Sequence, residues 1–414
     1  MAGERPATPP LGVLDLVPVL SGGTAADALA DSLDLARRAE ELGYVRHWFA
    51  EHHLNPGVAG TSPAVLIALA AAATSRIRLG SGALLLGHRT ALATVEEFGL
   101  IDALHPGRLD LGLGRSGGRP PAGAPAGDAD GPGTGGAGGR PAPPARPSGH
   151  RAPNGLLIPP AFSYAHLASH PRSVLQQRLL HLPGARSRDY AEQVAEILDL
   201  LGDGLRSDEG VTARPVPGTG ARVQVWILGS SGGTSAEVAG RHGLPFAANY
   251  HVSPAGVLEA AAGYRAAFRP SATLDRPYLT VSADVVVAED EDRARRLAAG
   301  YAPWVHGIRT GEGARPYPAP EEAAALEADW TDRERAVVAD RVDTRFVGTP
   351  DTVAGQLERL AEATGADELL ITTITHRHAD RVRSYALLAE EWDRRAAARR
   401  RPVGPGAGQE SLPS

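Results

Sequence analysis

Apolar runs of β type begin near Val13, Val45, Ile77 and Leu109, about one strand-plus-helix unit apart, and the stretches between them repeat apolar positions at helical spacing. Leu29, Leu33, Ala36 and Leu42 fall on one face of a helix opened by Thr24 as N-cap, and Leu92, Val95, Phe98 and Ile101 mark another apolar stripe. The first part of the chain therefore reads β-α-β-α-β-α-β. The pattern resumes with strands at Val223–Leu228, Phe246–Asn249, Leu279–Val287 and Glu368–Thr372, each followed by a segment that can be helical. Thr349 caps the last of the intervening helices with Pro350 at its first position; Val353, Leu357 and Leu360 face inward, and Gly365 stops it.

Eight such units fit a closed (β/α)8 TIM barrel better than an open doubly wound sheet, because closure uses all eight strands and extra length enters as loops. The expected organisation is a single α/β domain over residues 1–414 with its core at about 11–392. Between Ser116 and Pro153 there is no Val, Ile, Leu, Met, Phe, Trp or Tyr, so this Gly/Pro/Ala-rich insertion after the fourth strand has nothing to bury and is expected to be disordered. Apolar residues return over 155–182 (Leu156, Leu157, Ile158, Phe162, Leu175, Leu179, Leu180), a segment expected to pack back on the barrel either as a lid or as cover for a helix surface. The tail, 394–414, is charged and then Gly/Pro-rich and is expected to be loose.

Charge and composition narrow the function classes. The formal charge of −6 comes from 42 Lys+Arg against 48 Asp+Glu, with no basic stripe to track a nucleic acid. The absence of cysteine excludes disulfides, thiolate nucleophiles and Cys-ligated zinc or iron–sulfur clusters. No stretch approaches the roughly 20 apolar residues of a membrane span, and the N-terminal MAGERPATPP has no apolar h-region, so a cytoplasmic address is expected.

In a barrel of this type, active residues gather on loops after the C-terminal ends of strands. One such place is Glu51-His52-His53, after the second strand. Adjacent side chains there point in opposite directions, so at most one imidazole faces the pocket, and the pair is poor geometry for a metal. One histidine suits acid/base or hydrogen-bonding work; the alternative is that both bond neighbouring backbone. A second place is the strand Gly107–Arg115, whose terminal Arg115 can clamp a phosphate. Its Gly112, Gly114 and Gly117 spell a dinucleotide fingerprint by accident, since no helix follows. A third is Gly229-Ser230-Ser231-Gly232-Gly233-Thr234-Ser235, where glycines, hydroxyls and a helix start read as a phosphate cradle, against the alternative of an ordinary capped helix. His376-Arg377-His378 follows the eighth strand, lacks companion ligands for a metal, and is expected to cap a helix, with substrate contact as the lesser reading.

Glu51-His52-His53, Ile77-Arg78-Leu79-Gly80-Ser81-Gly82, Gly107 to Arg115, Gly229-Ser230-Ser231-Gly232 and Phe346-Val347-Gly348-Thr349-Pro350, in that order, resemble the luciferase-like flavin monooxygenase family, in its non-luminescent actinobacterial-type subgroup. The resemblance runs from about Leu11 to Trp392. It implies FMN at the barrel mouth, its phosphate near Gly229, Ser230, Ser231, Gly232, Ser235 and Arg115, with His52 as the catalytic histidine. The implied activity is oxygenation of a small organic substrate through a C4a-peroxyflavin, with reduced FMN supplied by a separate flavin reductase. It also implies a homodimer through the second and third helices. Two departures stand out: the cradle is one residue longer before Ser235, and Gly114 stands where the luciferases carry a cysteine. The rival readings are a deazaflavin-dependent hydride-transfer enzyme on the same barrel and a flavin-binding protein without turnover.

Overall fold

The computed structural model describes residues 8–115, 149–185 and 188–400. Eight parallel strands form a ring: β1 (Leu11–Asp15), β2 (Arg46–Phe49), β3 (Arg78–Ser81), β4 (Leu109–Gly114), β5 (Gln224–Gly229), β6 (Phe246–Asn249), β7 (Leu279–Val287) and β8 (Glu368–Thr372). Each pairs with its neighbours in chain order, and β4 closes on β5 with Asp110 opposite Gln224 and Gly114 opposite Leu228. The fold is the expected closed barrel.

Strands buried on both faces are apolar on both, and alternation sorts two cores. Outward residues such as Val13, Leu79, Leu111, Ile227 and Val281 pack under the helices, while Leu14, Trp48, Trp226, Leu228, Ala247 and Leu370 fill the barrel. The floor is polar. Arg46 reaches Asp110 and Glu368, each at 2.5 Å, and lies 4.6 Å over the Trp226 ring; Arg78 and the Trp48 indole N–H also donate to Asp110, and the Tyr278 hydroxyl donates to Glu368. Gly80 is required here, because a Cβ would stand 2.6 Å from Trp48 Nε1.

The helices α1 (Ala25–Glu41), α2 (Pro63–Ala73) and α3 (Ala91–Leu104) cover the first strands. Thr24 and Asp27 form a reciprocal capping box on α1. Its buried face is Ala28, Ser32, Leu35, Ala36 and Ala39, so the predicted Leu29, Leu33 and Leu42 lie along its half-buried flank. On α3, Val95, Phe98 and Ile101 are buried, whereas Leu92 is exposed.

In the 155–182 segment, α4 (Pro171–Leu180) is followed by α5 (Tyr190–Leu201). α6 (Thr234–Arg241) and α7 (Val257–Ala267) follow β5 and β6. Between β7 and β8 the chain makes a long excursion through α8 (Glu291–Ala298), α9 (Tyr301–Thr310), α10 (Pro320–Glu327) and α11 (Asp332–Asp343). It returns through a short strand, Phe346–Gly348, paired with Val285–Val287 of β7. α12 (Pro350–Thr364) is capped by Thr349 and ends at Gly365 with φ of 62°, as its sequence predicts. α13 (His378–Arg400) closes the fold.

Two boundaries differ from expectation. Most of the predicted disordered insertion, 116–148, lies outside the described residues, but His150–Arg151 pair antiparallel with Leu157–Ile158. Backbone pairing needs no apolar side chain, and the hairpin is anchored by buried Ala152, Leu156 and Ile158. The predicted loose tail is helical as far as Arg400, because Arg395 and Arg399 of α13 pair with Glu358 of α12 at 2.9 and 2.7 Å. Among the described residues, no helix is long and apolar enough to cross a membrane.

Candidate active site

β2 delivers Glu51, His52 and His53 to the C-terminal mouth. The His52 N–H donates to Gly60 O at 2.7 Å, and the half-buried ring keeps Nδ1 enclosed without a partner. Burial above all, with His53 beside it, pushes the His52 pKa down to about 4, so the ring is neutral at neutral pH. His53 turns the other way, its Nε2 2.9 Å from Glu51 Oε1.

Glu51 is a hub that the sequence pattern did not reveal. Its Oε1 also lies 3.1 Å from His88 Nε2, and its Oε2 accepts the Leu85 N–H at 2.9 Å. The ligand atoms of Glu51, His53 and His88 lie within 4.8 Å of one another, with the Arg89 guanidinium 3.5 Å from the shared oxygen. Two imidazoles and a guanidinium thus meet one buried carboxylate, and the hub ties the loop after β3 to the end of β2. Only contact across 37 residues discloses His88; no local spacing does.

The β5 loop forms the opposite part of the mouth. Ser230 Oγ accepts from Asn249 Nδ2 at 3.2 Å, and the Gly233 N–H donates to Ser231 Oγ at 3.3 Å. Helix α6 starts after Gly233 with no side-chain cap, and Ser235 in its first turn is wholly buried with Oγ lacking a partner. An uncapped helix start with an unmet buried hydroxyl fits a phosphate. The pairing of Gly114 with Leu228 sets half-buried Arg115 beside Gly229, so β4 and β5 bring the predicted cation and cradle together. Gly229 packs on Ser235, and Gly232 packs against Gly263 of α7. These residues suit a phosphate group.

The imidazoles of His376 and His378 are both engaged by the first βα unit. His376 Nε2 donates to Ser21 O at 3.2 Å, and His378 lies 2.9 Å from Asp34 of α1, so both tether α13 to the first βα unit. Gly112 and Gly114 lie within β4, and Gly117 lies outside the described residues.

Sequence reasoning also missed a polar wall on β7. Thr280, Ser282 and Asp284 alternate along an otherwise apolar strand and all are buried, a period-of-two signal readable in the sequence. Ser282 Oγ lies 2.6 Å from Nδ1 of buried His251. The Tyr301 hydroxyl donates to Asp284 and accepts from Arg341 at 2.7 Å, and burial raises the Asp284 pKa.

Segment 155–182 spans this end of the barrel. His166 Nε2 donates to Arg309 O at 2.6 Å, Phe162 stacks 3.9 Å from the Arg309 guanidinium, and on the other side His181 Nε2 lies 2.9 Å from Gly87 O. Leu167 is buried, but α4 buries no residue: Leu175 and Leu179 are exposed, against the expectation that they pack inward, and so is Val174.

Comparison with known proteins points one way. The profile of a family described as luciferase-like monooxygenase matches residues 10–133 and 179–368. A luciferase-like monooxygenase of Escherichia coli strain K12 is 31% identical over 375 residues, covering 91% of this chain and 94% of that protein. The uncharacterised protein YvbT of Bacillus subtilis strain 168 is 34% identical over 385 residues, covering 93% and 97%. The solved structure of apo-MsnO8 is 30% identical with a TM-score of 0.72, covering 94% of this chain and 98% of that one.

Proposed function

The chain belongs to the luciferase-like monooxygenase family, and from that premise we propose that it oxygenates a small organic substrate using O2 and reduced FMN. The observation that carries this reading is Ser235 Oγ, buried and unmet at the uncapped start of α6, on the same side of the mouth as Arg115. Arg115, Ser230, Ser231, Ser235 and the backbone of Gly229 and Gly232 would hold the phosphate. Bound reduced flavin supplies two electrons to O2, one oxygen atom entering the substrate and the other leaving as water. His52, neutral at neutral pH, would hold or release a proton at the unpartnered Nδ1.

Segment 155–182, bonded to both sides of the mouth, would cover it and limit water access. A homodimer through α2 and α3 is supported by an exposed apolar stripe of Val65, Leu69, Leu92, Leu100 and Leu104. Reduced FMN would be delivered by a partner reductase.

The test is anaerobic titration with reduced FMN, oxidised FMN and reduced deazaflavin, followed by admission of air in the presence of candidate substrates. Tight binding of reduced FMN and O2-dependent substrate oxygenation are expected. Preference for the deazaflavin without O2 uptake would replace oxygenation by hydride transfer, and flavin binding without turnover on any substrate would leave a binding protein.

A further inference from the structure

A hydrogen-bonded chain starts in the β5 loop and ends on a histidine from the opposite side of the barrel to His52. Asn249 Nδ2 donates to Ser230 Oγ at 3.2 Å, Asn249 Oδ1 lies 3.5 Å from Ser282 Oγ, and His251 Nδ1 lies 2.6 Å from that hydroxyl. Ser282 Oγ also lies 3.4 Å from Ala248 O. A serine has one proton and a backbone carbonyl none. All three contacts are hydrogen bonds together only if Ser282 shares its proton between Ala248 O and Asn249 Oδ1 and His251 donates its Nδ1 proton to Ser282. Nε2 of His251 is then a bare lone pair.

The backbone holds the base of this ring, since the N–H groups of Tyr250 and His251 both donate to Ser282 O, at 3.1 and 3.2 Å. Burial, then the Arg341 guanidinium and His52, push the His251 pKa well below the ordinary imidazole range, so the lone pair persists at neutral pH. In the ring of strands β6 stands opposite β2, so His251 and His52 arise from opposite walls of one mouth.

We propose that His251 is a second cofactor-contacting imidazole, whose Nε2 accepts a hydrogen bond from an N–H or O–H group of flavin anchored by its phosphate at the β5 loop. The inference rests on the flavin reading above. The Ser230–Asn249–Ser282–His251 chain crosses three adjacent strands, so a cofactor held at one end extends along the wall that carries the other. A ring fixed as the Nδ1–H tautomer admits a donor at Nε2 and rejects an acceptor, which makes the contact selective rather than merely polar.

Nitrogen NMR of the ligand-free protein reads the tautomer directly, and a protonated Nδ1 with bare Nε2 is expected. Anaerobic titration with reduced FMN then compares wild type with His251→Asn and His251→Gln. The Asn amide can replace only Nδ1, whereas the Gln amide reaches the Nε2 position. His251→Asn is expected to weaken reduced FMN by ~10-fold while keeping the wild-type circular dichroism, and His251→Gln to recover most of the loss. In wild type, the Nε2 resonance shifts when reduced FMN is added. An Nε2–H tautomer, or equal affinity in wild type and His251→Asn, overturns the proposal. Wild-type protein that binds no flavin overturns the flavin reading and takes this proposal with it.

Discussion

His53 Nε2 stands 2.9 Å from Glu51 Oε1, and this bond draws one of two adjacent imidazoles into the wall of the barrel while its neighbour His52 keeps an unpartnered Nδ1. The division of labour between the two histidines therefore depends on a carboxylate, and the first prediction concerns that group.

Burial alone would raise the Glu51 pKa, but bonds from His53, His88 and the Leu85 N–H, with Arg89 nearby, hold it at about 2. The folded value lies below the ordinary 4.5, so the carboxylate contributes stability that is present above pH 4.5 and lost as pH falls towards 2. Glu51→Gln should flatten this part of the unfolding free energy curve and cost about 1–3 kcal/mol at neutral pH. Urea unfolding at a series of pH values checks it; a mutant curve parallel to wild type throughout would refute the hub.

His52 titrates in the same sense, in a higher pH window. Its folded pKa of about 4 lies below the ordinary 6.5, so the unfolded chain takes up the proton first and stability is lost as pH falls from 6.5 towards 4. His52→Ala should remove that slope, leave FMN affinity near wild type, and lower product formed per flavin oxidised by on the order of 10²-fold. Wild-type coupling in the variant would remove His52 from the chemistry.

Ser235 Oγ has no partner to lose, so Ser235→Ala should leave the unfolding midpoint unchanged or slightly raised. Its effect belongs to the ligand: FMN should bind ~10-fold more weakly, with riboflavin, which lacks the phosphate, unaffected. Parallel losses for FMN and riboflavin would place the phosphate elsewhere.

The apolar stripe on α2 and α3 predicts an assembly defect. Leu69 and Leu100 are 51% and 58% exposed, and Leu69→Glu with Leu100→Glu should convert a dimer into a folded monomer in sedimentation experiments. An unchanged dimer would point to another face.

At the floor, Arg46→Met removes the cation between Asp110 and Glu368. Leaving buried carboxylates short of a partner should cost about 3–5 kcal/mol, read as a lower urea midpoint, without a change in FMN selectivity because the floor lies at the far end from the phosphate loop. A midpoint equal to wild type would show that Arg78, Trp48 and Tyr278 suffice.

All eight barrel strands were legible because each is a run buried on both faces, and the cap at Thr349 with the stop at Gly365 followed from local chemistry. The candidate cradle and Arg115 were legible for the same reason: glycines, hydroxyls and a strand-ending cation leave local signatures. His88, His251 and Arg341 left none, since each meets its partners through chain closure, across 37, 31 and 40 residues. Helix faces were read a notch off. On α1, small Ala28, Ser32 and Ala39 approach the barrel more closely than the larger Leu29 and Leu33, which a hydrophobicity pattern ranks higher. The hairpin at 150–158 escaped notice because its pairing is a property of backbone, not composition.

The pairing of Val287 with Gly348 brings the two ends of the β7–β8 excursion onto neighbouring strands, about 4.8 Å apart. Residues 289–345 are thus a storey set on the barrel: because the return strand runs parallel to β7, a shortened chain would need a crossover of about a dozen residues at that point to keep its ring. What such a shortened chain would lose is Tyr301, Trp304, Tyr317 and Arg341, which crowd over the interior from above. The ceiling over the interior is therefore furnished by 289–345, while β4 and β5, which carry Arg115 and the Gly229–Ser235 loop, belong to the ring beneath it.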